Sequence, residues 1–217
     1  MVLGDIFIGI AAALALAFTA WFFLGAQLNV RRAHEALRWL RDGLPLLGEK
    51  TTMNWLGTTG VDLNMNAANA PYKSVEILVL MEPRDVVPLW LLSHAQGRRD
   101  ILIFRGHLRR HARVEFDLID RKSWNGKEAL RHSVPKEWTQ SALPEGLLLA
   151  SESPDATLMA GQMKARLGRL APYLYHVAVR RTVPHIEVCL YLPWRSGISS
   201  SDVLNTMKDA GNLLMPA

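Results

Sequence analysis

The residues best suited to chemistry in this 217-residue chain are arginines. Arg98, Arg99, Arg105, Arg109, Arg110 and Arg113 fall in one short interval in which Asp100 is the only acid. A guanidinium presents a planar fork of donors that matches carboxylate and phosphate. Basic residues beside an anionic leaflet each contribute about 1 kcal/mol to binding. Arg31 and Arg32, which follow a long apolar run, belong to the same reading. Arg31, Arg32, Arg105, Arg109, Arg110 and Arg113 are therefore expected to hold anionic lipid headgroups or an acidic partner protein. Nucleic acid is not expected, because Phe104 is the one aromatic ring among these arginines and it alternates as a core residue.

Other chemistries find weaker support. His107 and His111 are four apart, as in zinc-binding helices, but they flank an expected hairpin turn crowded with guanidinium groups. No metal is expected there. Cys189 lies between Val188 and Leu190 in an expected strand, without the accessible, electropositive setting a thiolate nucleophile needs. Glu115 and Asp117 share a strand face near Asp120, and the common role of such carboxylates is to pair with bases on a neighbouring strand. The alternative is an enzyme acting on an anionic or lipid-linked substrate, with Glu115 or Asp117 as base. Phosphate-binding glycine loops and G-x-S-x-G elbows are absent from the sequence, so no catalytic residue is assigned and no cofactor is expected.

The element that must position the arginines is the uncharged run Ile6–Ala26. At about 1.5 Å per residue it matches a hydrocarbon core of roughly 30 Å, so it is expected to span a membrane. A cleaved signal peptide would begin with basic residues and end on small ones, whereas here Asp5 precedes the run and Trp21-Phe22-Phe23-Leu24 closes it. Arg31, Arg32, Arg38, Arg41 and Lys50 all follow the run. That asymmetry places residues 1–5 outside the plasma membrane and the bulk of the chain in the cytosol. A single cysteine agrees with a reducing compartment. Gly9, Ala13 and Ala17 form a small face on which another helix could pack.

Residues 27–47 read as a juxtamembrane basic helix stopped by Gly43 and Pro45. Its stripe of Val30, Ala33, Leu37 and Leu40 is too short for a coiled coil, so it is expected to pack on its own domain. Residues 48–217 then form one domain; 49% apolar residues and a net charge of +5 exclude compositional disorder. Alternating or continuous apolar runs predict strands over 59–65, 75–81, 101–108, 113–119, 147–150, 175–181 and 186–192. The third and fourth are expected to pair as a hairpin. Helices are expected over 83–97, from Ser153 to about Ala171, and from a serine near Ser201 to Asn212, while 120–146 reads as polar and irregular. Segments 75–120 and 147–193 share the order strand, helix, strand, strand, which suggests two βαββ halves. The expected fold is α+β: a transmembrane helix followed by a mixed sheet with helices on one face. The expected function is a membrane-anchored binding or assembly module, a single-pass subunit or scaffold. Its partners would be lipid and either another membrane protein or a second copy in a homo-oligomer.

Overall fold

Between Gly25 and Gly43 nothing in the sequence breaks a helix, and one helix does carry both the apolar run and the basic segment: α1, Val2–Arg41. The computed structural model describes residues 2–215; Met1 of the expected external terminus and the domain's last two positions, 216 and 217, fall outside the described residues. From Ile6 to Leu24 the side chains of α1 are exposed, and of these Trp21 reaches back to the domain. From there Gly25, Asn29, Ala33, Ala36 and Leu40 are buried at three- and four-residue intervals, one helical face laid on the domain. The expected packing of this stripe on its own domain holds, with Leu37 half-buried at its margin.

The domain is built on nine strands: β1 (Thr52–Leu56), β2 (Gly60–Met65), β3 (Tyr72–Leu80), β4 (Ile101–Leu108), β5 (Phe116–Asp120), β6 (Thr139–Ala142), β7 (Leu147–Ser151), β8 (Leu174–Val179) and β9 (Ile186–Tyr191). They form one sheet in the order β1-β2-β3-β4-β9-β8-β5-β7-β6. Every pairing is antiparallel, so the α+β expectation stands but the sheet is not mixed. β4 and β5 do not pair as a hairpin, because the β8–β9 hairpin lies between them. The two segments read as halves also pair differently: β3 lies beside β4, whereas β7 lies beside β5.

Four shorter helices complete the fold: α2 (Val87–Ala95), α3 (Trp124–His132), α4 (Ala156–Leu167) and α5 (Ser200–Leu214). One sheet face carries Leu63, Ile77, Val79, Leu102, Phe104, Val177 and Val188 into a core closed by α1, α4 and α5. Tyr72 ties this core together, since its hydroxyl donates to the Met207 carbonyl of α5 and burial pushes its phenol pKa up. Helices are not confined to that face. α3 lies against β5 and β8 on the opposite face, in the segment that reads as irregular. Ser123 caps it by accepting from the Gly126 amide at 2.9 Å, and Gly126 has no Cβ because the Asp120 carbonyl occupies that space. α4 starts later than expected: Ser153 accepts from the Asp155 amide in a turn, and the helix proper begins at Ala156.

β4 runs between two ends of the domain, with Asp100 at the α1 junction and the Leu108–Arg113 turn roughly 25 Å away at about 3.3 Å per residue. At that far end His185 accepts from the Leu108 amide through Nδ1 at 3.0 Å, and its Nε2 lies 3.3 Å from His111 Nδ1. Burial, and then the neighbouring charges of His111 and His107, lower the His185 pKa. The unfolded chain therefore binds this proton more readily, near pH 6.5, and native stability must fall as pH drops from about 7 through that value. His185→Asn, which keeps an acceptor but cannot titrate, is expected to reduce the loss of Tm between pH 7.5 and 5.5. An unchanged slope would refute the assignment.

Candidate functional site

The densest convergence of charged and aromatic side chains lies where α1 meets the start of β4. It begins with an approach that only glycine permits. The Arg84 carbonyl and the Asp85 Cα fill the space a Cβ on Gly25 would need. One turn earlier, Trp21 Nε1 donates to that same carbonyl at 2.9 Å, and its ring lies 6.0 Å from that of Trp90 on α2. The Arg84 side chain turns inward. It makes a two-pronged contact with Asp100 at 2.9 and 3.2 Å, reaches Glu82 at 3.3 Å, and donates to the buried Asn29 Oδ1 at 3.2 Å. Arg32 of α1 adds a contact to Asp100 at 3.3 Å. Glu82 accepts from Trp90 Nε1 at 2.8 Å and meets His94 Nδ1 at 3.0 Å. Paired and hydrogen-bonded charges of this kind are costly to separate, because removing one partner strands the other away from water.

Beside this latch opens a cleft of about 350 Å³. Arg32, Arg84, Arg99 and Arg195 line it against two carboxylates, Glu82 and Asp100, and Trp90, Tyr173, Tyr191 and Trp194 form its walls. Arg195 is drawn partly away by Glu35 of α1 at 3.3 Å. The arrangement suits an anionic group flanked by apolar or planar surface. Next to it the Arg98 guanidinium stacks 3.7 Å from the centre of the Trp124 ring, and its buried Nε has no partner.

A second polar cluster occupies the sheet face opposite the main core. Asp117 is fully buried, with one oxygen 2.7 Å from His176 Nε2 and the other 2.7 Å from Arg180. Arg105 bridges Glu187 at 2.7 Å and Glu76 at 3.3 Å. Donor atoms of His176, Glu187 and Cys189 converge within 4.8 Å, close enough for a metal ion. Each is otherwise engaged: His176 by Asp117, Glu187 by Arg105, and Cys189 as a thiol whose pKa is pushed well up by burial and by Glu187.

The arginines expected to act together are divided by the length of β4. Arg31 is exposed and Arg32 is latched at the α1 end, while Arg110 and Arg113 are exposed at the far turn. Arg105 lies between, inside its ion-pair bridge. Arg109 is spent on the backbone, donating to the Tyr72 and Ala68 carbonyls at 3.0 and 3.1 Å. Glu115 and Asp117 do pair with bases, as expected, but Asp117 is buried rather than on a wet face, and Glu115 accepts from the Arg181 amide at 2.7 Å. Gly9, Ala13 and Ala17 share one face of the exposed part of α1. Sequence reasoning missed Asn29, Glu82, Arg84, Trp90 and Asp100. One signal was available: Asn29 is a polar residue four positions from both Gly25 and Ala33, on the face that α1 buries. Known protein families and curated proteins offer no match to this chain.

Three outcomes test these assignments. Asp100→Ala is expected to destabilise the detergent-solubilised chain by about 3–5 kcal/mol in denaturant unfolding, because buried Arg84 loses its two-pronged partner and the Glu82 amide its acceptor. Arg195→Ala, which breaks an exposed pair, should cost less than about 1 kcal/mol. Cys189 should resist thiol reagents in the folded protein and react fully once the chain is unfolded. Rapid modification of the native form would contradict its burial.

Proposed function

We propose that this protein is a membrane-anchored binding and assembly module. The apolar part of α1 spans the plasma membrane with the N-terminus outside, and the domain lies in the cytosol. The observation that carries the reading is the continuity of α1. The same unbroken helix is exposed and apolar from Ile6 to Leu24, with a mean hydropathy of 2.3 over its span-length window, and is then latched to the domain through Gly25, Asn29 and Arg32. A domain fixed to its anchor in this way holds its height and rotation, which favours assembly with other membrane-embedded subunits. Gly9, Ala13 and Ala17 would receive a partner helix or a second copy. The arginine surplus of the junction cleft, with Arg31, would face headgroups or an acidic subunit, and Arg110 and Arg113 would meet an acidic partner on the far side. The enzyme alternative draws less support, since both Asp117 oxygens are committed to His176 and Arg180 and Glu115 to Arg181.

The full-length chain should stay in the membrane pellet after alkaline carbonate. Protease should remove its domain in inside-out vesicles and leave it intact in whole cells. Purification in mild detergent should then bring down a partner whose recovery falls severalfold with the double variant Arg110→Glu/Arg113→Glu. Release by carbonate, or digestion from outside the cell, would overturn the anchored, cytosolic reading.

A further inference from the structure

α2 is built inside out. Of its nine residues, VPLWLLSHA, the buried one is Ser93, whose carbonyl accepts from the Arg98 amide, while Leu89, Leu91 and Leu92 are 47%, 55% and 58% exposed. Val86, just before the helix, is 44% exposed. A surface helix bathed in water turns such residues inward and its serine outward. Scattered apolar side chains on a surface need no explanation, but four within seven residues on a short helix form a patch, and patches mark contact surfaces.

The position of the patch identifies what covers it. α2 begins just past Arg84, the residue whose carbonyl receives Trp21 and packs on Gly25. Trp90, in the middle of α2, lies against Trp21. The exposed leucines thus sit at the height of the last turns of α1's apolar surface. A span that begins at Ile6 and crosses about 30 Å ends near Gly25, so this height is the boundary between acyl chains and headgroups. The tip of the β1–β2 hairpin reaches the same level: Thr58 donates to Asp85 at 3.0 Å, which brings Leu56, 48% exposed, to the same rim. Charge changes where a membrane surface would require it. α2 itself holds no ionisable group but His94, whereas Arg98 and Arg99 follow its end and Arg31 stands about 9 Å further along α1 than Gly25. Indole rings such as those of Trp21 and Trp90 favour this interfacial zone.

We propose that α2 lies in the headgroup–acyl boundary beside the end of α1, and that with the hairpin tip at Leu56 it seats the domain directly on the phospholipid bilayer. The occupant of this face is lipid because the face continues α1's own exposed apolar surface at the same height. The proposal rests on α1 spanning the membrane, and its test separates the two. Leu91→Cys, Leu16→Cys and Val183→Cys each carry an environment-sensitive fluorophore, attached to the folded full-length chain so that buried Cys189 stays unmodified. The probes mark α2, the middle of the apolar run and the far β8–β9 turn, and all three native side chains are exposed. Each variant is placed in nanodiscs of phosphatidylcholine and phosphatidylglycerol containing spin-labelled lipid.

The probe at 91 should be blue-shifted and quenched at least threefold more than the one at 183 by label near the headgroup, and the probe at 16 should be quenched by deep label. If 16 is quenched while 91 and 183 are both left unquenched, the domain stands clear of the bilayer and this proposal fails although the span survives. If 16 is not quenched, both fail. Equal quenching at 91 and 183 would also overturn it, since the far turn would then be immersed as well.

Discussion

Arg84 and Asp100 face each other almost out of reach of water, and much of the molecule's geometry follows from where that pair was placed. Asp100 stands at the entry to β4 and also accepts from the Glu82 amide just past the end of β3, so one carboxylate fixes the adjoining ends of two neighbouring strands. Arg84 donates to Asn29 Oδ1, and Arg32 joins Asp100, so the same pair takes hold of α1. A dry apolar seam could have held the helix equally firmly. A hydrogen-bonded charge network also fixes its rotation and axial position, because a shift of one turn would leave buried charges unpaired. Gly25 adds a steric constraint in the same direction, since no other residue lets the Arg84 carbonyl approach so closely.

The sheet extends this order away from the junction. Its apolar face is closed by α1, α4 and α5. Its other face carries a chain of ion pairs from Glu76 through Arg105 to Glu187, and a separate pairing of Asp117 with His176 and Arg180. Asp117 and His176 are buried on this face and must be satisfied internally, as they are. The consequence for function is that several charged side chains that look available in the sequence, Arg32, Arg105, Arg109 and Asp117 among them, are already committed. Arg31, Arg110 and Arg113 are left exposed.

The elements were more legible than their arrangement. β4 appears in the sequence with both of its ends, because an apolar run opens it after Asp100 and Leu108 closes it before the arginine turn. The α1 stripe, the cap region of α5 and the hairpin strands β8 and β9 were equally clear from period and capping chemistry. Pairing was not legible. β4 and β5 are successive strands with a short connection, and local patterning carries no record that β8 and β9 insert between them. α3 was masked by Gly126, a poor helix former that is tolerated because the Asp120 carbonyl needs its space. The arginine cluster misled for a related reason. Closeness along the chain suggested a patch, but an extended strand carries its two ends far apart.

Helix α1 and the domain are joined as one piece through Gly25, Asn29 and Arg32, and both the proposed seating of α2 on lipid and the proposed role of the junction cleft depend on that. Hydrogen exchange of the full-length chain in nanodiscs tests it most directly. The account predicts that the amides of Gln27–Ala36, beyond the apolar run, exchange as slowly as those of β4 (Ile101–Leu108). Fast exchange across Gln27–Arg32 with β4 still protected would reveal a flexible hinge between anchor and domain, and would contradict the rigid connection on which this reading of the protein rests.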